Sequence, residues 1–86
     1  MIKVKDQILQ NHCYTELVYQ RINKKLGLNF SNEEIEALIK KIVSETTLDC
    51  FEKKGKNYYI SSKENNIKIT INSNTFRVIT VDKIIN

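Results

Sequence analysis

The chain is 86 residues long, with 41% hydrophobic and 28% charged side chains, which bounds it to one small globular domain (1–86) with a thin core and argues against a disordered tail. No apolar run approaches the roughly 18–20 residues of a membrane span, and Met1 to Asp6 lacks the apolar stretch of a signal peptide, so a cytoplasmic protein with no membrane partner is expected. The net charge of +4 invites a nucleic-acid reading, but lysine, isoleucine and asparagine make up 35 of the 86 residues, as A/T-rich codons would produce, and only Arg21 and Arg77 supply guanidinium.

In chain order, residues 3–12 are expected to hold a short helix carrying Ile8 and Leu9, either separate from the next or continuous with it, since Asn11-His12 is a soft break. A second helix is expected from Tyr14 to Leu26, with Tyr14, Leu17, Val18, Arg21, Ile22 and Lys25-Leu26 marking its inner face and flanks. Gly27 supplies a left-handed residue at the position after the helix, and Leu28 follows where a Schellman motif makes its apolar contact. Ser31 and Glu34 then fit a capping box, Phe30 and Ile35 fit a hydrophobic staple, and Ile35, Leu38, Ile39, Ile42 and Val43 form the apolar stripe of a helix ending near Glu45-Thr46. The two helices make an αα-hairpin or a helix-turn-helix.

From about residue 50 the pattern changes to strands. Phe51–Lys53 and Asn57–Ser61 pair around Lys54-Gly55, and Asn65-Asn66 marks the turn into Ile67, Ile69 and Ile71, which alternate with polar residues. A two-residue turn at Ser73-Asn74 would set Ile71 opposite Phe76, Ile69 opposite Val78 and Ile67 opposite Thr80, in a strand from Thr75 to Val81. The expected fold is α+β: two to three N-terminal helices (1–46) packed on a C-terminal antiparallel meander sheet of three to four strands (50–82).

Few residues carry chemistry. His12 and Cys13 are adjacent, so their side chains diverge and make a poor nucleophile–base pair; a polar histidine at a helix start and a cysteine acting as a small hydrophobe account for them better. His12, Cys13 and Cys50 have no zinc-ligand spacing, both thiols are expected free, and no glycine-rich phosphate loop is present; no metal and no cofactor are expected. Glu33, Glu34 and Glu36 read as a solvated helix start. The hairpin Lys53-Lys54-Gly55-Lys56-Asn57 is the most suggestive local feature, because a helix-turn-helix followed by a basic hairpin outlines a winged helix. Against DNA, the first turns of the would-be recognition helix carry three glutamates. One of Tyr58 and Tyr59 must face away from the core, where it could stack on a base or anchor a protein contact; a solvated turn with an amphipathic tyrosine at its edge is the plain alternative.

The stretches Cys13–Val18, Arg21–Gly27, Lys54–Ile60 and Ile69–Asn72 resemble a family of small uncharacterised bacterial and phage proteins, a domain of unknown function. The resemblance spans most of the chain and implies no activity. In size and lack of chemistry the chain is similar in outline to phage-encoded inhibitors of host defence, anti-CRISPR proteins included, which is an analogy of context rather than motif.

The expectation is a non-catalytic module that binds a larger protein or ribonucleoprotein. Its more specific form is a phage or mobile-element inhibitor of a bacterial defence (CRISPR) nuclease, occupying a protein surface or a guide-RNA channel. The interface residues expected are Tyr58, Tyr59, Lys53, Lys54, Lys56, Arg77 and Tyr19. Weak non-specific contact with nucleic acid is allowed for. The alternative is a winged-helix-like nucleic-acid-binding regulator, and an enzyme stands third.

Overall fold

A computed structural model describes residues 4–84 of the chain. Helix α1, Val4–Asn11, buries Ile8 completely; the expected helix began at Lys3, which lies outside the described residues. After the His12 amide closes the last turn on the Ile8 carbonyl (2.8 Å), the backbone extends. The Cys13 amide donates to the Phe76 carbonyl (3.0 Å), and the Cys13 carbonyl accepts from the Val78 amide (2.9 Å). This short parallel bridge, made with a segment more than sixty residues away, separates α1 from the next helix.

Helix α2, Glu16–Leu26, starts two residues later than expected because Thr15 caps it, its hydroxyl accepting from the Val18 amide. Val18, Ile22 and Leu26 recur every fourth residue and form its buried row. Leu17 stands about 100° off that row and is 73% exposed, which corrects its expected place on the inner face. Gly27 adopts φ +66°, and the Leu28 amide closes the Schellman bond to the Asn23 carbonyl at 2.8 Å. The Asn23 side chain bonds both the amide and the carbonyl of Phe30, which fixes the connection to helix α3, Asn32–Glu45. There both halves of the capping box form between Ser31 and Glu34. Ile35, Ile39, Ile42 and Val43 are buried, and Leu38 packs half-buried beside them.

A single 3₁₀ turn, Leu48–Cys50, leads into strands β1 (Phe51–Lys54), β2 (Asn57–Ser62), β3 (Ile67–Asn72) and β4 (Val78–Lys83), which form an antiparallel meander in the order β1-β2-β3-β4. Gly55, first of the two residues between paired Lys54 and Asn57, has φ +59°, as a type II′ turn requires. One sheet face (Ile60, Ile69, Ile71, Val78, Val81) joins the helices' apolar rows in one continuous core. Helix α2 lies along β4, and α1 packs on α3. The result is the α+β arrangement expected, with three helices and four strands.

The last hairpin departs from the expected register. Ile71 faces Val78, Ile69 faces Val81 and Ile67 faces Lys83, with Ile79 bulged out of the pairing. The reason is Asn72, whose side-chain oxygen accepts from the amides of Asn74 (2.8 Å) and Thr75 (2.9 Å). Its amide and carbonyl meanwhile bond Arg77 and Phe76. That wraps four residues, 73–76, into the turn, ends it on Phe76 at φ +59°, and delays β4 to Val78. A two-residue turn would have needed positive φ from residues without that support. Among the described residues no helix is long and apolar enough to cross a membrane.

Candidate macromolecule-binding surface

The expected interface residues do not gather on one surface. Lys53, Lys54 and Lys56 are exposed at the β1–β2 hairpin, Lys54 with its ammonium 3.5 Å from the Glu52 carboxylate. The Lys56 carbonyl accepts from the Ser73 amide (2.7 Å), so this turn is braced by the β3–β4 loop. Strand alternation sends Tyr58 and Tyr59 to opposite faces. Tyr58 packs against the core, whereas Tyr59 lies on the helix-free face with the Lys68 ammonium 5.2 Å from its ring centroid. Tyr19 belongs to an internal network, and Arg77 is exposed where β4 begins.

The network joins the α1–α2 connection to both longer helices. His12 Nδ1 shares a 3.0 Å hydrogen bond with the Tyr14 hydroxyl, the Tyr14 and Tyr19 rings stack at 5.2 Å, and the Tyr19 hydroxyl donates to Glu36 Oε2 at 2.8 Å. Burial lowers the His12 pKa below its ordinary 6.5, against an upward pull from Glu36. Burial, followed by the Glu36 carboxylate, pushes the Tyr14 phenol up and moves Tyr19 to about 12. What the arrangement does is tie α2 to α3 through the Tyr19–Glu36 bond. The Cys13 thiol donates instead to the Thr75 carbonyl (3.6 Å), so the adjacent pair of reactive residues is engaged in opposite directions. Cys50 is half-buried with the Thr47 hydroxyl 3.8 Å from its sulfur. Among the described residues no three His, Cys, Asp or Glu side chains gather as metal ligands would.

The surface that the sequence reading missed lies between α2 and the start of β4. A shallow groove of about 190 Å³ is lined by Leu17, Arg21, Arg77 and Ile79, with Val18 and Val78 at its base. The chain's only two arginines, 56 positions apart, meet there. Along the same outward face of α2 a second depression is lined by Leu17, Gln20, Arg21, Lys24 and Lys25. Lys25 bonds Asp82 at 2.5 Å. Among the described residues Arg21, Lys24 and Arg77 form no ion pair. The available signal was the four-residue spacing of Val18, Ile22 and Leu26, which leaves Leu17 and Arg21 together about 100° away from the buried row.

Among the described residues these features define a small α+β domain of three helices on a four-stranded meander, with an exposed leucine set among cations that form no ion pair. The chain belongs to the family described as "Protein of unknown function (DUF3781)", which matches residues 6–82. No curated protein and no solved structure matches it.

Proposed function

We propose that the protein is a non-catalytic binding module that engages a larger protein or ribonucleoprotein. The observation that carries this reading is Leu17, an apolar side chain 73% exposed beside Arg21, Lys24 and Arg77. An exposed apolar side chain beside arginines offers both parts of a contact, its burial giving affinity and the charges giving association rate and selectivity. Tyr59 with Lys68 beside it, and Lys54 on the same face of the β1–β2 hairpin, supply a second polar surface on the helix-free side of the sheet.

The test is a pull-down with the purified chain as bait. Leu17→Asp and the Arg21→Glu/Arg77→Glu pair run beside Tyr59→Ala and a Lys53/Lys54/Lys56 triple alanine variant. Capture by the wild type that the groove variants lose, with unchanged circular dichroism, is expected. Loss only in the Tyr59 and lysine variants would move the interface to the open sheet face.

The finer form of the proposal is an inhibitor of a bacterial defence nuclease, CRISPR effectors included, carried by a phage or mobile element. Its support is the small size and the Lys/Ile/Asn-rich composition, since blocking by occupancy needs no catalytic group. Target cleavage by a purified effector that continues unchanged with the chain in excess would remove this form and leave the module reading intact. The second reading, a winged-helix-like regulator, is favoured by the exposed lysine hairpin following a helix pair. It is opposed by Glu33 and Glu34 in the first turn of α3.

A further inference from the structure

Resting on the binding-module reading, we infer that the α2–β4 groove recognises an acidic segment of a partner protein in which an apolar side chain is flanked by carboxylates. Leu17, Arg21 and Lys24 stand at i, i+4 and i+7 on the outward face of α2, a stripe about 10 Å long. Arg77 lines the same groove from the residue before β4, so two arginines border it from separate parts of the chain. Each guanidinium presents a planar fork suited to a carboxylate or a phosphate.

What separates these two anions is the rest of the lining. The groove contains Leu17, Val18, Val78 and Ile79, and none of the four tyrosines lines it. A nucleic-acid strand offers phosphates and flat bases, and gains most from aromatic platforms and a continuous cationic track. Here the apolar lining would face phosphates, and Glu16 ends the cationic stripe at the first turn of α2. A peptide bearing Leu or Ile between Glu or Asp residues satisfies both parts of the lining. Its apolar side chain covers Leu17, and its carboxylates meet Arg21 and Arg77. The partner is distinguished from a plain polyanion by the requirement for that apolar residue.

The experiment is amide chemical-shift titration of the whole chain with three probes. These are the capped peptide Glu-Leu-Glu-Glu-Leu-Glu, its charge-matched analogue Glu-Ser-Glu-Glu-Ser-Glu, and a thymidine oligonucleotide of equal charge. The leucine peptide at millimolar concentration is expected to shift the amides of Leu17, Gln20, Arg21 and Arg77. The serine peptide should bind about tenfold more weakly, as loss of one buried apolar contact implies. Arg21→Glu/Arg77→Glu should abolish the shifts, and Leu17→Ser should equalise the two peptides. Equal binding of the two peptides by the wild type, tighter binding of the oligonucleotide at the same amides, or no shift there with any probe would each overturn the inference. The pull-down separates this failure from that of the wider reading. A partner still captured by the Arg21→Glu/Arg77→Glu variant keeps the module and discards the groove, whereas no capture and no shifts discard both.

Discussion

Ser31 caps α3 through a box of four consecutive residues that needs nothing from the rest of the fold. Its hydroxyl accepts from the Glu34 amide at 3.2 Å, so Ser31→Ala is expected to lower stability by about 1 kcal/mol, read as a lower urea midpoint with an unchanged slope. The His12–Tyr14–Tyr19–Glu36 network was not legible, since its members come from three segments and join only when α2 docks on α3. Its pH signature has a definite sign. Tyr19 is held at about 12, above its ordinary 10.0, so its contribution to stability is complete below pH 10 and is lost as pH rises through the folded value. Tyr19→Phe should flatten that alkaline loss in denaturation midpoints measured across pH. His12 acts at the other end: its folded pKa lies below 6.5, so stability is complete above pH 6.5 and falls as pH drops through the folded value.

Elements divide along the same line between local and distant causes. The α2 C-terminus was legible because Gly27 and Leu28 announce a Schellman motif by themselves. A Cβ at Gly27 would meet nothing within 4 Å, so Gly27→Ala should destabilise by about 1 kcal/mol through the left-handed backbone alone. The strands were legible from the alternation of Ile67, Ile69 and Ile71, but the register of β3 on β4 was not. It depends on one side-chain oxygen of Asn72 and on the pairing of Cys13 with the chain around Arg77. Asn72→Ala should therefore cost about 1–2 kcal/mol by removing both loop hydrogen bonds. Asn72→Asp, which keeps the acceptor, should recover most of it in the same urea titration.

At the scale of the whole molecule the charge is unevenly placed. Residues 51–86 carry seven basic and three acidic side chains, while the stretch from Ser31 to Glu45 carries four acidic and two basic ones. Random duplex DNA is accordingly expected to bind with Kd in the non-specific range of about 10⁻⁴–10⁻⁶ M at physiological salt, weakening steeply as salt rises in an anisotropy titration. Nanomolar, sequence-selective binding would instead establish the winged-helix reading. Of the candidate surface, the sequence displayed Arg77 and the hairpin lysines as charges but not the groove. Charge can be read residue by residue; the meeting of Arg21 with Arg77 requires the sheet to be closed and α2 laid along β4.

The bond pair between Cys13 and the Phe76–Val78 segment also bears on how the chain is made. Synthesis delivers Cys13 early and Val78 late, so the helices leave the ribosome well before the strand that completes their core. Val18, Ile22 and Leu26 have no β4 to pack on until Val78 and Val81 emerge. A fragment of residues 1–72 should thus be digested far faster by protease than the whole chain, even though it contains every helix. Burial of α2 waits on the last strand, so an interrupted message yields a sticky intermediate rather than a smaller working domain.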